Sequence, residues 1–261
     1  MDTNVFAERF ASYVTRFMDA DGTASIPVQL KIRHTDDVCR ITRDIIGGEG
    51  CFSEQEALLF DVAARFHDIS RFEQFVKFHT FRDDRSFDHG NRSAELMLEE
   101  HLTDGLTPEQ SDIAVTAVRF HNKISLPADL DKKYLASARM IRDADKLAIL
   151  EILLQFFQAP PDVQKNTAMT LELPKTQGIS PCVLAQVRNH RMVPHSMLRT
   201  VDDFKLMLFV WVYDLNYPAA AAYALSHNLF PEIRSLLPAN MELDIIFEET
   251  TAHLTQMRNG K

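Results

Sequence analysis

With 261 residues, 46% of them apolar and 18 of them Phe, the chain can bury a substantial core without staples, and its net charge of −9 disfavours long nucleic acid as a partner, since that mode of binding needs a basic footprint. Its three cysteines, Cys39, Cys51 and Cys182, are far apart, lack paired metal-type spacing and are odd in number, which argues against a disulfide framework and fits a reducing cytoplasm. The N-terminus lacks a basic region followed by an apolar run, and no segment reaches the roughly 18 uninterrupted apolar residues that would span a bilayer, so no membrane association is expected.

Phe6, Phe10, Tyr13, Val14 and Phe17 recur at steps of three and four, predicting an amphipathic helix over residues 5–18 that the Asp21-Gly22-Thr23 turn ends. A second helix is expected from Pro27 to a break at Gly47-Gly48, with His34, Val38, Ile41 and Ile45 on one inward stripe. Ser53-Glu54-Gln55-Glu56 reads as a capping box opening a third helix, whose apolar residues Leu59, Val62, Ala63 and Phe66 lead to His67-Asp68. A short amphipathic segment over 70–78 precedes the polar loop 81–86, which suits a cleft rim. Asp88 reads as the N-cap of a helix containing Ala94, Met97 and Leu98, placing His89 in its first turn. Thr107-Pro108-Glu109-Gln110 combines a second capping box with proline at the first helical position, and opens a helix in which Ile113, Ala117 and His121 share a face. On the next helix Ala138, Ile141, Asp145, Ala148 and Ile152 form a single stripe. Further helical segments are expected near 162–172, 181–190, 200–215, 218–227 and 240–258; Phe204 and the run Leu206 to Val212 are too apolar all round for a surface helix. The expected class is all-α: a helical core over 1–158, with a helical extension over 159–261 packed on it.

Neighbouring helical positions lie about 100° apart, so His67 and Asp68 can approach a common point only where the helix ends and the chain turns. A carboxylate has two oxygens and can bridge two cations. If Asp68 does so, His34 and Asp145 can complete one site and His89 and His121 the other. Mixed nitrogen and oxygen ligation suits Fe, Mn, Zn, Co or Ni better than Mg or Ca, without choosing among them. Each histidine taken singly also reads as a hydrogen-bonded core residue. Asp145 is harder to read that way: an unpaired carboxylate within an apolar face costs several kcal/mol, and Lys146 points about 100° away from it. Arg71, Arg82, Arg85, Lys123 and Lys146 are, taken singly, readable as solvated charges.

The order His34, His67-Asp68, Asp145 resembles the HD superfamily of metal-dependent phosphohydrolases, and Asp143-Ala144-Asp145-Lys146-Leu147 resembles its last motif, over roughly residues 25–155. His89, in Asp88-His89-Gly90, and His121, in Arg119-Phe120-His121-Asn122, resemble the two further histidines of binuclear members, among them cyclic-dinucleotide phosphodiesterases and di-iron oxygenases. No Gly-Tyr-Pro follows His121, so the cyclic di-GMP enzymes are a poor match, and Ser70 stands where members often have glycine. The resemblance implies an HD-type helical bundle holding two divalent transition-metal ions on His34, His67, Asp68, His89, His121 and Asp145. It also implies hydrolysis of a phosphate ester or anhydride in a small, nucleotide-like metabolite. Asp68, Arg71 and Lys146 would form the catalytic set, with Arg71, Arg82, Lys123 and Lys146 toward the substrate. Two other readings stand beside it: a di-iron oxygenase on the same six ligands, and a metal- or nucleotide-binding protein without turnover. Substrate identity, native metal and oligomeric state are left open.

Overall fold

The computed structural model, which describes residues 4–260 apart from 166, 175 and 177, is built of helices, with no strand among those residues. The chain divides into two compact units, Met1–Ala148 and Ile149–Lys261. The first contains α1 (Asn4–Val14), α2 (Ile26–Glu49), α3 (Glu54–Phe66), α4 (Ser70–Phe78), α5 (His89–Glu99), α6 (Pro108–Phe120) and the start of α7 (Lys132–Gln158), a helix that runs through the boundary. Helix α3 packs between α2 and α6, while α5 lies against both α4 and α6. Val38, Ile41, Ile45, Phe60, Phe66, Met97 and Ile141 are fully buried, each contributing about 1.5–3 kcal/mol of apolar transfer. Ala63, Ala64, Ala117 and Ala144 are buried as completely, and their small side chains leave room for large neighbours in the core.

The helix starts follow the capping chemistry. Ser53 Oγ accepts from the Glu56 amide at 3.2 Å while Glu56 Oε2 accepts from the Ser53 amide at 2.9 Å, and Thr107 and Gln110 repeat the exchange at 3.2 and 2.8 Å. Asp88 Oδ1 accepts from the Asn91 amide at 3.0 Å, so His89 is the first residue of α5 as expected. One expectation for these helices needs correction. Helix α2 does not break at Gly47-Gly48 but continues to Glu49 and stops at Gly50, whose left-handed φ of 63° lets its amide bond Ile46 O at 3.0 Å. Glycine inside a helix costs about 1 kcal/mol, which the buried stripe outweighs; the left-handed cap is what ends the helix. Within α5, Leu98 is exposed, because it lies nine residues from the inward-facing His89 and so about half a turn round the helix, while Leu96 and Met97 are buried.

The second unit contains α8 (Pro181–Arg188), α9 (Val201–Met207), α10 (Pro218–Ser226), α11 (Leu229–Ser235) and α12 (Met241–Arg258). The expected 200–215 helix is α9 continued by a tighter 3-10 stretch, Leu208–Asp214, and Phe204, Leu206 to Val210 and Val212 are buried as their composition requires. Where a helix was expected over 162–172, the described residues hold short 3-10 turns, Val163–Lys165 and Thr167–Thr170, with Leu171 and Glu172 left-handed immediately after. Helix α11 was not anticipated, although Leu229, Phe230 and Ile233 bury one face at helical spacing and Pro231 sits in its first turn.

Candidate metal centre

Helix α3 ends at Phe66, His67 caps it, and the chain turns through Asp68 and Ile69 into α4, with the Arg71 amide bonding Asp68 O at 2.9 Å. His67 and Asp68 thus lie at a buried helix junction, and side chains from α2, α5, α6 and α7 converge on them. On one side, Asp68 Oδ2 stands 3.6 Å from both His34 Nε2 and His67 Nε2. Asp145 Oδ1 lies 3.1 Å from His34 Nε2 and 3.8 Å from His67 Nε2, and the two ring nitrogens are 3.1 Å apart. On the other side, Asp68 Oδ1 stands 3.6 Å from His89 Nε2 and 3.8 Å from His121 Nε2, which are themselves 3.1 Å apart. Donors about 2.1 Å from a shared ion stand roughly 3.0–3.4 Å from one another, so these spacings match or slightly exceed those of a ligand shell.

The remaining ring nitrogens determine which tautomers are present. His67 Nδ1–H donates to Ala64 O at 2.8 Å, His121 Nδ1–H to Val118 O at 2.6 Å and His89 Nδ1–H to Asp83 Oδ2 at 2.5 Å. Each Nε2 is therefore left with a lone pair, the form that ligates metals. Burial pushes the His67 imidazolium down to about 3 even beside Asp68 and Asp145, and burial together with the Arg71 charge pushes His89 down to about 4. Both rings are neutral near pH 7. The Nε2 atoms of His89 and His121, 3.1 Å apart, are spaced as two donors to one ion would be.

Burial works against ionisation of Asp68, yet the Lys31 ammonium, 2.7 Å from Oδ2, and the Arg71 guanidinium hold its carboxyl well below the usual range. Burial likewise opposes the charge on Asp145, which its hydrogen bond with His34 keeps far below the ordinary carboxyl range. Asp68 Oδ1 is buried without a hydrogen-bond partner, a condition that costs about 1–3 kcal/mol or more for a charged group and that a cation would relieve. The donor chemistry, the spacing and this orphaned oxygen all fit divalent metal.

Supporting residues hold the two histidine pairs in place. Asp83 Oδ2 accepts from both nitrogens of His89 that face it, Nδ1 and the backbone amide, while its Oδ1 accepts from Arg71 Nη1 at 2.9 Å and Gln74 Nε2 at 3.1 Å. Ser70, at the position where glycine is common in the resembling family, donates from Oγ to His89 O at 2.9 Å and from its amide to Ser93 Oγ at 3.1 Å, tying the start of α4 to α5. Gly90 lets α5 close on the end of α6: a Cβ there would lie 2.4 Å from Asn122 Oδ1 and 3.0 Å from Arg119 O. Arg142 donates to the carbonyls of Phe120 and His121, both at 3.2 Å, Lys123 at 2.5 Å and Ile124 at 3.3 Å, satisfying the terminal carbonyls of α6 beside His121.

The structure thus brings together all six residues expected to bind metal. Arg71 joins them, with Nη2 3.3 Å from His89 Nε2 and Nε 3.4 Å from Asp68 Oδ1. Lys146 is buried on α7 with Nζ 3.4 Å from Arg142 O, Lys123 pairs with Asp88, and Arg82 makes a two-point pair with Asp84 near the surface. Lys31, Asp83 and Arg142 were missed by sequence reasoning. Lys31 lies three residues before His34 and Arg142 three before Asp145, a same-face spacing that could have drawn attention to both. Asp83 carries no such signal, because it reaches the site from a short 3-10 turn, Asp83–Arg85, that lies between α4 and α5. No family model, curated protein or solved structure matches the chain, so its functional reading rests on these residues and their geometry.

Proposed function

We propose that the protein is a metal-dependent phosphohydrolase of the HD type, cleaving a phosphate ester or anhydride in a small, nucleotide-like metabolite. The observation that carries this reading is the division of Asp68: Oδ2 faces His34 and His67, whose Nε2 atoms also meet Asp145, while Oδ1 faces His89 and His121. Two divalent ions bound there would supply Lewis acidity and a water acidified toward neutral pH. Asp68 and Asp145 would bring the negative charge that such ions require. Arg71, fixed through Nη1 by Gln74, Phe81 O and Asp83, would present Nη2 to a phosphoryl oxygen in a defined orientation. The ammonium of Lys31 stands on the Oδ2 side of Asp68, so a chain of net charge −9 offers an anion two local cations at this point.

The test is to supply purified protein with Mn, Fe, Co, Ni, Zn or Mg in turn, measuring phosphate release from a panel of phosphorylated metabolites alongside oxygen consumption. Release that disappears in Asp68→Ala and falls in Arg71→Ala supports the proposal. Oxygen uptake by the iron-loaded protein without phosphate release would assign it to the oxygenases instead. Metal or nucleotide retained with neither activity would make it a binding protein.

A further inference from the structure

The two sides of Asp68 are unequal. On one, His34 and His67 face Asp68 Oδ2 and also the second carboxylate of Asp145; on the other, His89 and His121 face Asp68 Oδ1, and of these two only His121 also groups with His67 and Asp145. On that poorer side Arg71 Nη2 donates to His89 Nε2 at 3.3 Å, taking up the lone pair an ion would need, and Arg71 Nε stands 3.4 Å from Asp68 Oδ1. A positive charge therefore spans two of the three donors.

The guanidinium is not loosely placed. Its Nη1 is held by Phe81 O and Gln74 Oε1, each at 2.6 Å, and by Asp83 Oδ1 at 2.9 Å, and its side chain is 12% exposed. Asp83 also holds His89, so one carboxylate positions both the ligand and the cation that competes for it. Lys31 on the richer side differs in kind: its ammonium meets a carboxylate oxygen from the end of a flexible four-carbon arm, and the Nε2 atoms of His34 and His67 stand beside that oxygen.

We infer that Arg71 makes metal loading sequential: one ion binds tightly to the His34, His67 and Asp145 side, and the second enters between His89 and His121 when an oxyanion draws Arg71 Nη2 away. This rests on the phosphohydrolase reading and deepens it, because the substrate's own phosphate would complete the centre. Coupling of this kind is reciprocal, so the second ion strengthens anion binding by the same factor as the anion strengthens the ion.

Metal-free protein titrated with micromolar Mn2+, with free ion followed by electron paramagnetic resonance, tests the inference directly. The wild type should show two classes of site separated by at least about tenfold, the scale of one charge-assisted hydrogen bond. Inorganic phosphate should tighten the weaker class and leave the stronger one unchanged. In Arg71→Gln the weaker class should tighten and the phosphate effect should disappear. Equal classes in the wild type, no phosphate effect there, or an Arg71→Gln protein whose second class is unchanged or weaker would each overturn the inference while leaving the metal centre standing. Since the wild-type phosphate response decides the matter by itself, a poorly folded variant does not stall the test. A wild type that binds no Mn2+ would overturn this inference and the metal-centre reading together.

Discussion

Replacing Gly90 by alanine tests the approach of α5 to α6, on which the His89–His121 pair depends. Alanine is intrinsically favoured over glycine in a helix by about 1 kcal/mol, so in open surroundings the change would stabilise. Here the added Cβ would lie 2.4 Å from Asn122 Oδ1, 2.8 Å from Asn122 Cγ and 3.0 Å from the Arg119 carbonyl. Asn122 cannot yield without cost, because its Nδ2 donates to Asp88 Oδ1 at 3.0 Å and Asp83 Oδ2 at 3.3 Å. Losing one such bond costs about 1 kcal/mol or more, and overpacking costs about 1–3 kcal/mol. The penalties exceed the propensity gain, for a net destabilisation of about 1–3 kcal/mol. Urea unfolding of the metal-free protein, followed by circular dichroism, measures it. Gly47→Ala is the control: it lies inside α2 with nothing within 4 Å of the added Cβ and should stabilise by about 0.5–1 kcal/mol. A Gly90→Ala protein as stable as Gly47→Ala would refute the close approach of α5 and α6 drawn here.

Asp68→Ala removes a donor from both sides and should abolish binding of both metals, as read by plasma emission analysis after dialysis; a variant retaining two ions with native affinity would exclude a bridging role. His34→Ala or Asp145→Ala should deplete the ion on one side, and His89→Ala or His121→Ala the other, each leaving one ion per chain at saturating metal. Stability of the metal-free protein should fall with acidification. His67 and His89 titrate near 3 and 4 when folded but near 6.5 when unfolded, so between about pH 6 and 4 the unfolded chain binds more protons. Each ring should then contribute up to about 1.4 kcal/mol per pH unit of lost stability, and His89→Gln should make the measured slope shallower. Asp83→Asn should weaken the ion on the His89 side by about tenfold or more while sparing the other, because it loosens the orientation of that ring.

The local chemistry of this protein is readable along the chain. Helix starts at Ser53, Asp88 and Thr107 depend on side chains reaching amides within three residues, and the inward stripe carrying His34 depends on a period that the backbone imposes. Composition also required the burial of Leu206 to Val210, although not the change from α to 3-10 winding within that stretch, nor the existence of α11. The ligand set could be drawn up because its members occupy predictable ends and faces of helices. What only the tertiary structure decided is which oxygen of Asp68 meets which histidines, which ring nitrogen carries the proton, and which cations stand against them. Asp83 reaches His89 from a short 3-10 turn, and Lys31 and Arg71 approach opposite oxygens of one carboxylate. Those relations depend on how helices and the turns between them meet in space, and helical periodicity says only which way a side chain faces.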